Sequence, residues 1–456
     1  MSFISCSPEP GLLFFQVVET NYGNFQATHF QEKNIVTFVK HHSLSRGRAT
    51  TLVALGLAAT LAGSAGVAFA QTATLDKSIT ITGQGSTFVS NFIEQCKADA
   101  KKAIGIDISY QPTGSGAGRT AYINGTNDFA GSDVPFTSSE AGRAKPFVYI
   151  PVAIGGVAVI YKVPGVTGLQ MSAGTIAKIF SGQALKWSDG AIKAENPSAN
   201  LPDKVIKVIV RSDSSGTSNV FSDYLNQAGR GAWPKGVNSQ FPVLPGNGIA
   251  QKGSDGVSNY VSGDQGDFSI TYAETSFADE RKLDVVKVIN QAGKSVLPTA
   301  AGVTDAIDGA ITNNDGSLTL NFNPPSATAY PISTTAYLIA PQSMDKAKGD
   351  ILRTFLTYAL TGCQTRISTL GYAPIPNSIQ TLGLAAVAKI NPGSAPVPVI
   401  TPPGAATPAT TAPAAAATTP ATTLAPAATA APTTTKKPAT TKKPATTKKP
   451  TTTKKK

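Results

Sequence analysis

The clearest chemistry in this chain lies in Arg211-Ser212-Asp213-Ser214-Ser215-Gly216-Thr217, an arginine followed by small hydroxyl and glycine residues. A guanidinium presents a planar fork of donors that matches an oxyanion. Hydroxyls add further donors, and glycine lets backbone N–H groups approach a ligand closely. The stretch follows the β-branched run Val205-Ile206-Lys207-Val208-Ile209-Val210 and precedes a helix-like pattern over 218–225. A strand therefore delivers the arginine to a turn that opens a helix, where free N–H groups and the positive dipole end favour an anion. An ordinary junction with a surface arginine and a hydroxyl cap has the same outline.

Two similar turns lie upstream. Gly83-Gln84-Gly85-Ser86-Thr87-Phe88 follows a strand-like 78–82 and opens a helical pattern over 89–103. Thr113-Gly114-Ser115-Gly116-Ala117-Gly118-Arg119 ends the strand-like 106–110 and opens a helix running through Ile123. Three turns of one chemical kind, all at strand-to-helix junctions, point to a shared ligand in an α/β sheet crevice. A fourth piece has the opposite sign. In Asn127-Asp128-Phe129-Ala130-Gly131-Ser132-Asp133-Val134-Pro135 a short strand ends on a carboxylate. An ionised carboxylate only accepts hydrogen bonds, so Asp133 suits an anion that still carries a proton: hydrogen phosphate does at neutral pH and sulfate does not. A site built around such a bond can reject the analogue lacking it by roughly 10⁴-fold. Spacing alone favours a simpler role for Asp133, capping the turn before Pro135.

The rest of the chain bounds these readings. With the terminal segments set aside, about 316 of the 456 residues remain, enough for two packed domains. Alternating strand-like and helix-like runs argue α/β for both. All three histidines, His29, His41 and His42, precede an expected export cleavage site, which excludes a Ser-His-Asp triad or a His-ligated metal site from the mature chain. No Walker P-loop is present, and Gly114-Ser115-Gly116-Ala117-Gly118 lacks dinucleotide-fingerprint spacing. No catalysis, metal or cofactor is expected.

Gly85-Ser86-Thr87-Phe88, Thr113-Gly114-Ser115-Gly116, the 128–135 segment and Arg211 to Thr217 resemble the four ligand loops of the phosphate-binding proteins that serve bacterial phosphate ABC importers. Further resemblance runs through Ile154-Gly155-Gly156-Val157, 180–187, Gly253-Ser254-Asp255-Gly256-Val257, 330–334 and the C-terminal Leu370-Gly371-Tyr372-Ala373-Pro374-Ile375-Pro376, covering about Ile79 to Leu384 in order. The resemblance implies phosphate contacts from Thr87 (hydroxyl and amide), Phe88 (amide), Ser115 (hydroxyl and amide), Arg211, Ser215, Gly216 and Thr217. Asp133 is then the acceptor that reads the ligand proton, and Asp213 holds the Arg211 fork in plane without touching ligand. Ala130-Gly131 stands where the family more often shows Gly-Ala, and Ser214 replaces a common glycine; neither change removes a side-chain donor.

The same resemblance implies a two-lobed periplasmic-binding-protein fold (α/β, type II, the Venus-flytrap arrangement) with two crossovers, near Gly155 and Tyr330. Residues 79–154 plus 330–391 then form lobe 1 and residues 155–329 form lobe 2. Phosphate bridges them, and the closed form meets the membrane permease and ATPase subunits of an importer. Two other readings stay open: a secreted phosphatase-like member of the same superfamily, or a wall-bound surface protein acting through its tail. Cys96 and Cys363 both fall on lobe 1 helices by this resemblance, either as a disulfide or as two buried thiols.

Both ends of the chain read differently. Arg46-Gly47-Arg48, the apolar run 52–67 and Ala68-Phe69-Ala70 before Gln71 form an export signal. It lies so deep that residues 1–38 read as an over-long gene start, with translation from Val39; a long leader or uncleaved anchor is the alternative. Leu61-Ala62-Gly63-Ser64 has the shape of a lipoprotein box with serine in the cysteine's place, so no lipid thioether can form. Residues 392–456 are Pro, Thr, Ala and Lys without an acidic residue, expected as a disordered stalk. The net charge of +12 falls to +2 once its nine lysines and the net +1 of residues 1–70 are set aside. The basic character thus belongs to the stalk, whose expected partners are anionic cell-wall polymers rather than nucleic acid.

Overall fold

A computed structural model describes residues 75–394. All of them fall within one compact unit. The expected export signal, Ser64 and the part of the expected stalk beyond 394 lie outside the described residues. Alternating strands and helices build a two-lobed α/β fold on one twisted sheet. Its order runs from β2 (Asp107–Gln111) through β1 (Thr80–Gly85) and β3 (Phe129–Ser132) to the strand Ser333–Pro341 and then β4 (Phe147–Lys162). Beyond β4 come the strands Ser269–Glu274, Lys207–Arg211 and Gly248–Gln251. The three strands at each outer end run parallel to one another, and the central pairings are antiparallel.

β4 joins the two lobes. Its 16 residues are buried except at the two ends, which matches their nearly unbroken apolar sequence and burial on both faces. Such a strand spans about 50 Å. Through Gly156 it pairs with Ser333–Pro341, and from Val157 it pairs with Ser269–Glu274. The exchange of partners falls on Gly155-Gly156, where a Cβ on Gly155 would stand 2.9 Å from Phe88 and one on Gly156 2.6 Å from Pro298. Pro151, which cannot donate to the ladder, lies opposite Tyr337 beside a register shift between Ala336 and Tyr337.

Helix α1 (Ser90–Ile104) buries the adjacent pair Phe92-Ile93 and then Cys96, Ala100 and Ile104, at steps of three or four that keep them on one face. Gly105 ends it in the left-handed conformation. Phe88 and Phe92 each meet Tyr372 edge-on, at centroid distances of 6.1 and 6.4 Å. Cys96 is joined to Cys363 by a disulfide with Cα atoms 5.4 Å apart. The alternative of two free thiols is set aside by this pairing. Among the described residues no helix is long and apolar enough to cross a membrane.

The bridge links residues 267 apart in sequence, a long loop whose closure stabilises by about 5.5 kcal/mol in the chain-entropy account. Denaturant unfolding with and without a strong thiol reductant tests this. The reduced protein unfolds at a clearly lower midpoint; coincident midpoints would deny the bridge a stabilising part.

Candidate functional site

Five turns meet where the two lobes face each other, each at the carboxyl end of a parallel strand. β1 leads into Ser86-Thr87, β2 into Ser115 and β3 into Asp133. From the other lobe, Lys207–Arg211 leads into residues 213–217 and Gly248–Gln251 into Gly253-Ser254. Carboxyl ends of parallel strands are where open α/β sheets hold ligands. Thr87, Ser115, Asp133, Arg211, Ser215 and Thr217 are all buried there.

The turns touch across the lobes. Thr87 Oγ1 lies 2.9 Å from Ser254 Oγ and accepts from the Ser254 amide at 3.1 Å. Thr217 Oγ1 donates to Asp133 Oδ2 at 3.2 Å, and the Gly116 amide donates to the Ser214 carbonyl at 2.9 Å. Glycine is required at this seam: a Cβ on Gly216 would stand 2.5 Å from Ser115 Oγ and 2.7 Å from Asp133 Oδ2. On Gly116 it would overlap the Ser214 side chain.

Arg211 is buried as an ion pair. Its Nε donates to Asp213 Oδ1 at 2.7 Å, Nη2 pairs with Asp213 Oδ2, and Nη1 lies 3.4 Å from Ser254 Oγ. Two parallel bonds hold the fork in one plane. Burial would raise the Asp213 carboxyl, but Arg211 and the Gly253 amide (2.9 Å) together hold it below the usual range. Asp213 therefore stays an anion and fixes the cation's direction.

Asp133 is the second buried charge. Ser86 Oγ donates to its Oδ1, while Thr217 and, more distantly, Ser115 (3.5 Å) reach Oδ2. Burial pushes its carboxyl up to about 6, opposed by the Ser86 bond, the Arg211 guanidinium, the Thr217 bond and Arg119. At neutral pH it is an ionised acceptor; below about pH 6 it becomes a donor.

The structure thus gathers Thr87, Phe88, Ser115, Asp133, Arg211, Ser215, Gly216 and Thr217, with Asp213 behind Arg211. Two show a local engagement that spacing did not reveal. The Phe88 amide donates to Ser86 Oγ at 3.0 Å. Ser215 caps the helix Gly216–Ala228 by accepting from the Ser218 amide at 3.1 Å, a bond that leaves its own O–H to donate. Ser86 and Ser254 join the site in addition to the residues that the sequence points to. Ser254 stands in Gly253-Ser254-Asp255-Gly256, another glycine-hydroxyl turn opening a helix, and that signal could have found it. Among the described residues no group of three or more His, Cys, Asp or Glu is placed to hold a metal ion.

Known proteins share both sequence and fold with this chain. Residues 67–362 match a PBP superfamily domain. The chain is 34% identical over 322 residues to the phosphate-binding protein PstS2 of Mycobacterium bovis, covering 67% of this chain and 86% of that protein. It is 33% identical over 307 residues to the phosphate-binding protein PstS of Xylella fastidiosa, covering 66% and 83%. Among solved structures, the high affinity periplasmic phosphate-binding protein PfluDING, bound with phosphate, has a TM-score of 0.56 at 23% identity. That match covers 67% of this chain and 93% of PfluDING and shows a common fold.

A methyl group at the seam tests whether the lobes need this close approach. Gly116→Ala collides with Ser214, so small-angle scattering in saturating ligand finds a larger radius of gyration than for the unmutated chain. An unchanged radius would mean that the Gly116–Ser214 contact does not govern closure.

Proposed function

This chain belongs to the PBP superfamily and to its phosphate-binding proteins, and from that premise we propose that it captures inorganic phosphate between its lobes for delivery to an ABC-type phosphate importer. The observation that carries the reading is a buried carboxylate and a buried guanidinium facing one seam from opposite lobes, Asp133 and Arg211. A cation alone would accept any oxyanion. An acceptor beside it admits only one that brings its own proton.

In this reading lobe 1 comprises 79–154 and 330–391, and lobe 2 comprises 155–329. Lobe 1 supplies Thr87, Phe88, Ser115 and Asp133, while lobe 2 supplies Arg211, Ser215, Gly216 and Thr217, joined by Ser254. The ligand touches both, so it favours the closed state by its differential contacts. Closure excludes water, which strengthens each charge-assisted bond. The Gly216–Ala228 helix start adds N–H groups and a positive dipole end. Oxyanion capture and release is the whole activity, without a bond made or broken. The permease and ATPase subunits of the importer read the closed form.

Export of the chain accords with these relatives, one of which is described as periplasmic. The finer picture rests on the sequence: a cleaved signal ending at Ala70, no lipid anchor at Ser64, and retention at anionic wall polymers by the lysine-rich stalk.

Two substitutions test the division of labour. Arg211→Met removes the buried cation and weakens phosphate binding at least about a hundredfold. Asp133→Asn exchanges an acceptor for an amide that can donate; sulfate then binds, and the phosphate-over-sulfate ratio falls by about 10³-fold or more. Calorimetry on both variants after removal of endogenous ligand checks the pair. Retained discrimination in Asp133→Asn would refute the proton-reading role, and undiminished phosphate affinity in Arg211→Met would refute the clamp.

A further inference from the structure

Asp133 sits at the end of β3, and its turn is held by an arginine outside the anion cage. Arg119 lies on α2 (Ser115–Asn124), one turn after Ser115, and is only 5% exposed. Its Nη1 donates to Ser132 Oγ at 3.0 Å. Ser132 Oγ in turn donates to the Val134 carbonyl at 2.6 Å and accepts from the Val134 amide at 3.3 Å. The guanidinium is thus bonded to the turn that presents Asp133.

The other edge of Arg119 is fixed as firmly. Nε lies 3.2 Å from both oxygens of Glu140, in an ion pair whose side chains are 6% and 16% exposed. Glu140 is locked by a capping box at the start of α3 (Ser138–Ala141): its Oε2 accepts from the Thr137 amide at 2.8 Å and from Thr137 Oγ1 at 3.0 Å. Arg119, Asp133 and Thr137 line one cavity of about 340 Å³, together with Asn219 and Asp223 of the opposite lobe. A buried ion pair is weak evidence for stability, and nothing in phosphate capture itself requires this one.

Resting on the reading of Asp133 as the acceptor for a protonated oxyanion, we propose that Arg119 is a positioning residue for Asp133 and, balanced by Glu140, sets how strictly the site separates protonated from fully ionised oxyanions. Arg119 fixes the carboxylate through Ser132 and adds its positive potential to that of Arg211. The charged and titratable groups around Asp133 are Arg119 and Glu140 from its own lobe and Arg211, Asp213 and Asp223 from the other. The buried hydroxyls of Tyr110 and Tyr372 also lie within its electrostatic reach. Of the two cations, Arg119 makes none of the cage contacts and reaches Asp133 only through its turn.

The signs follow from charge. Removing Arg119 disfavours the ionised form, so Asp133 keeps its proton to higher pH and donates to sulfate there. Removing the charge of Glu140 does the opposite. Sulfate is the suitable probe because it does not titrate between pH 5 and 8.

The test is calorimetric titration of sulfate, and separately of phosphate, into the full mature chain and its Arg119→Met, Arg119→Lys and Glu140→Gln variants over that pH range. In the unmutated protein sulfate affinity rises as pH falls through about 6. Arg119→Met moves that midpoint up by about one unit and Glu140→Gln moves it down, while Arg119→Lys keeps it near its original place. A merely structural role would weaken all variants without opposite shifts. An unmutated chain that fails to bind phosphate would overturn the functional reading itself. A pH-independent sulfate response in that chain would overturn the role of Asp133. A pH-dependent unmutated chain whose midpoint is unmoved in Arg119→Met and Glu140→Gln would overturn this inference alone.

Discussion

Removing the Asp133 carboxylate from water carries a penalty of several kcal/mol, and the groups that offset it come from both lobes. Ser86 and Ser115 approach from its own side, and Thr217 with the Arg211 guanidinium approaches from the other. The compensation is therefore complete only when the lobes are closed. On the proposed reading, that dependence joins recognition of the anion to the closure that an importer would detect, since one set of bonds serves both.

The remaining architecture follows from bringing those groups together. Parallel strands put hydroxyl turns at their carboxyl ends, and the antiparallel centre turns the two sets of ends towards a common seam. β4 runs through both lobes without a break, so they share one backbone ladder rather than a flexible linker. Gly155 and Gly156 let Phe88 and Pro298 pack against the crossover, while Gly116 and Gly216 let the turns meet across the seam. The Arg211–Asp213 pair extends the same logic. Asp213 directs the fork and partly neutralises a cation that would otherwise be costly to bury alone.

Much of this was legible in the residues. Strand-to-turn-to-helix order at Ser86, Ser115 and Ser215 followed from β-branched runs ending in glycine and hydroxyls, and the observed elements differ from that reading by a few residues at their ends. Arg211 and Asp213, two apart, form the pair that the resemblance implied. What escaped depended on distant contacts. Ser86 serves Asp133 from 47 residues away, and the Cys96–Cys363 bridge spans 267. Ser254 follows Gly248–Gln251, an edge strand with little β-branched character and no fully buried residue, so its turn lacked the preceding signal that marked the others. Pro151 argues locally against a long strand, and only the partner's register shift shows how β4 accommodates it.

The most direct test of the account is a calorimetric titration of phosphate, then sulfate, into the unmutated chain at pH 8 after endogenous phosphate has been stripped. With Asp133 ionised at that pH, the account predicts micromolar or tighter phosphate binding and no response to sulfate. Equal binding of the two anions would contradict it, because the buried carboxylate would then not be reading the ligand's proton.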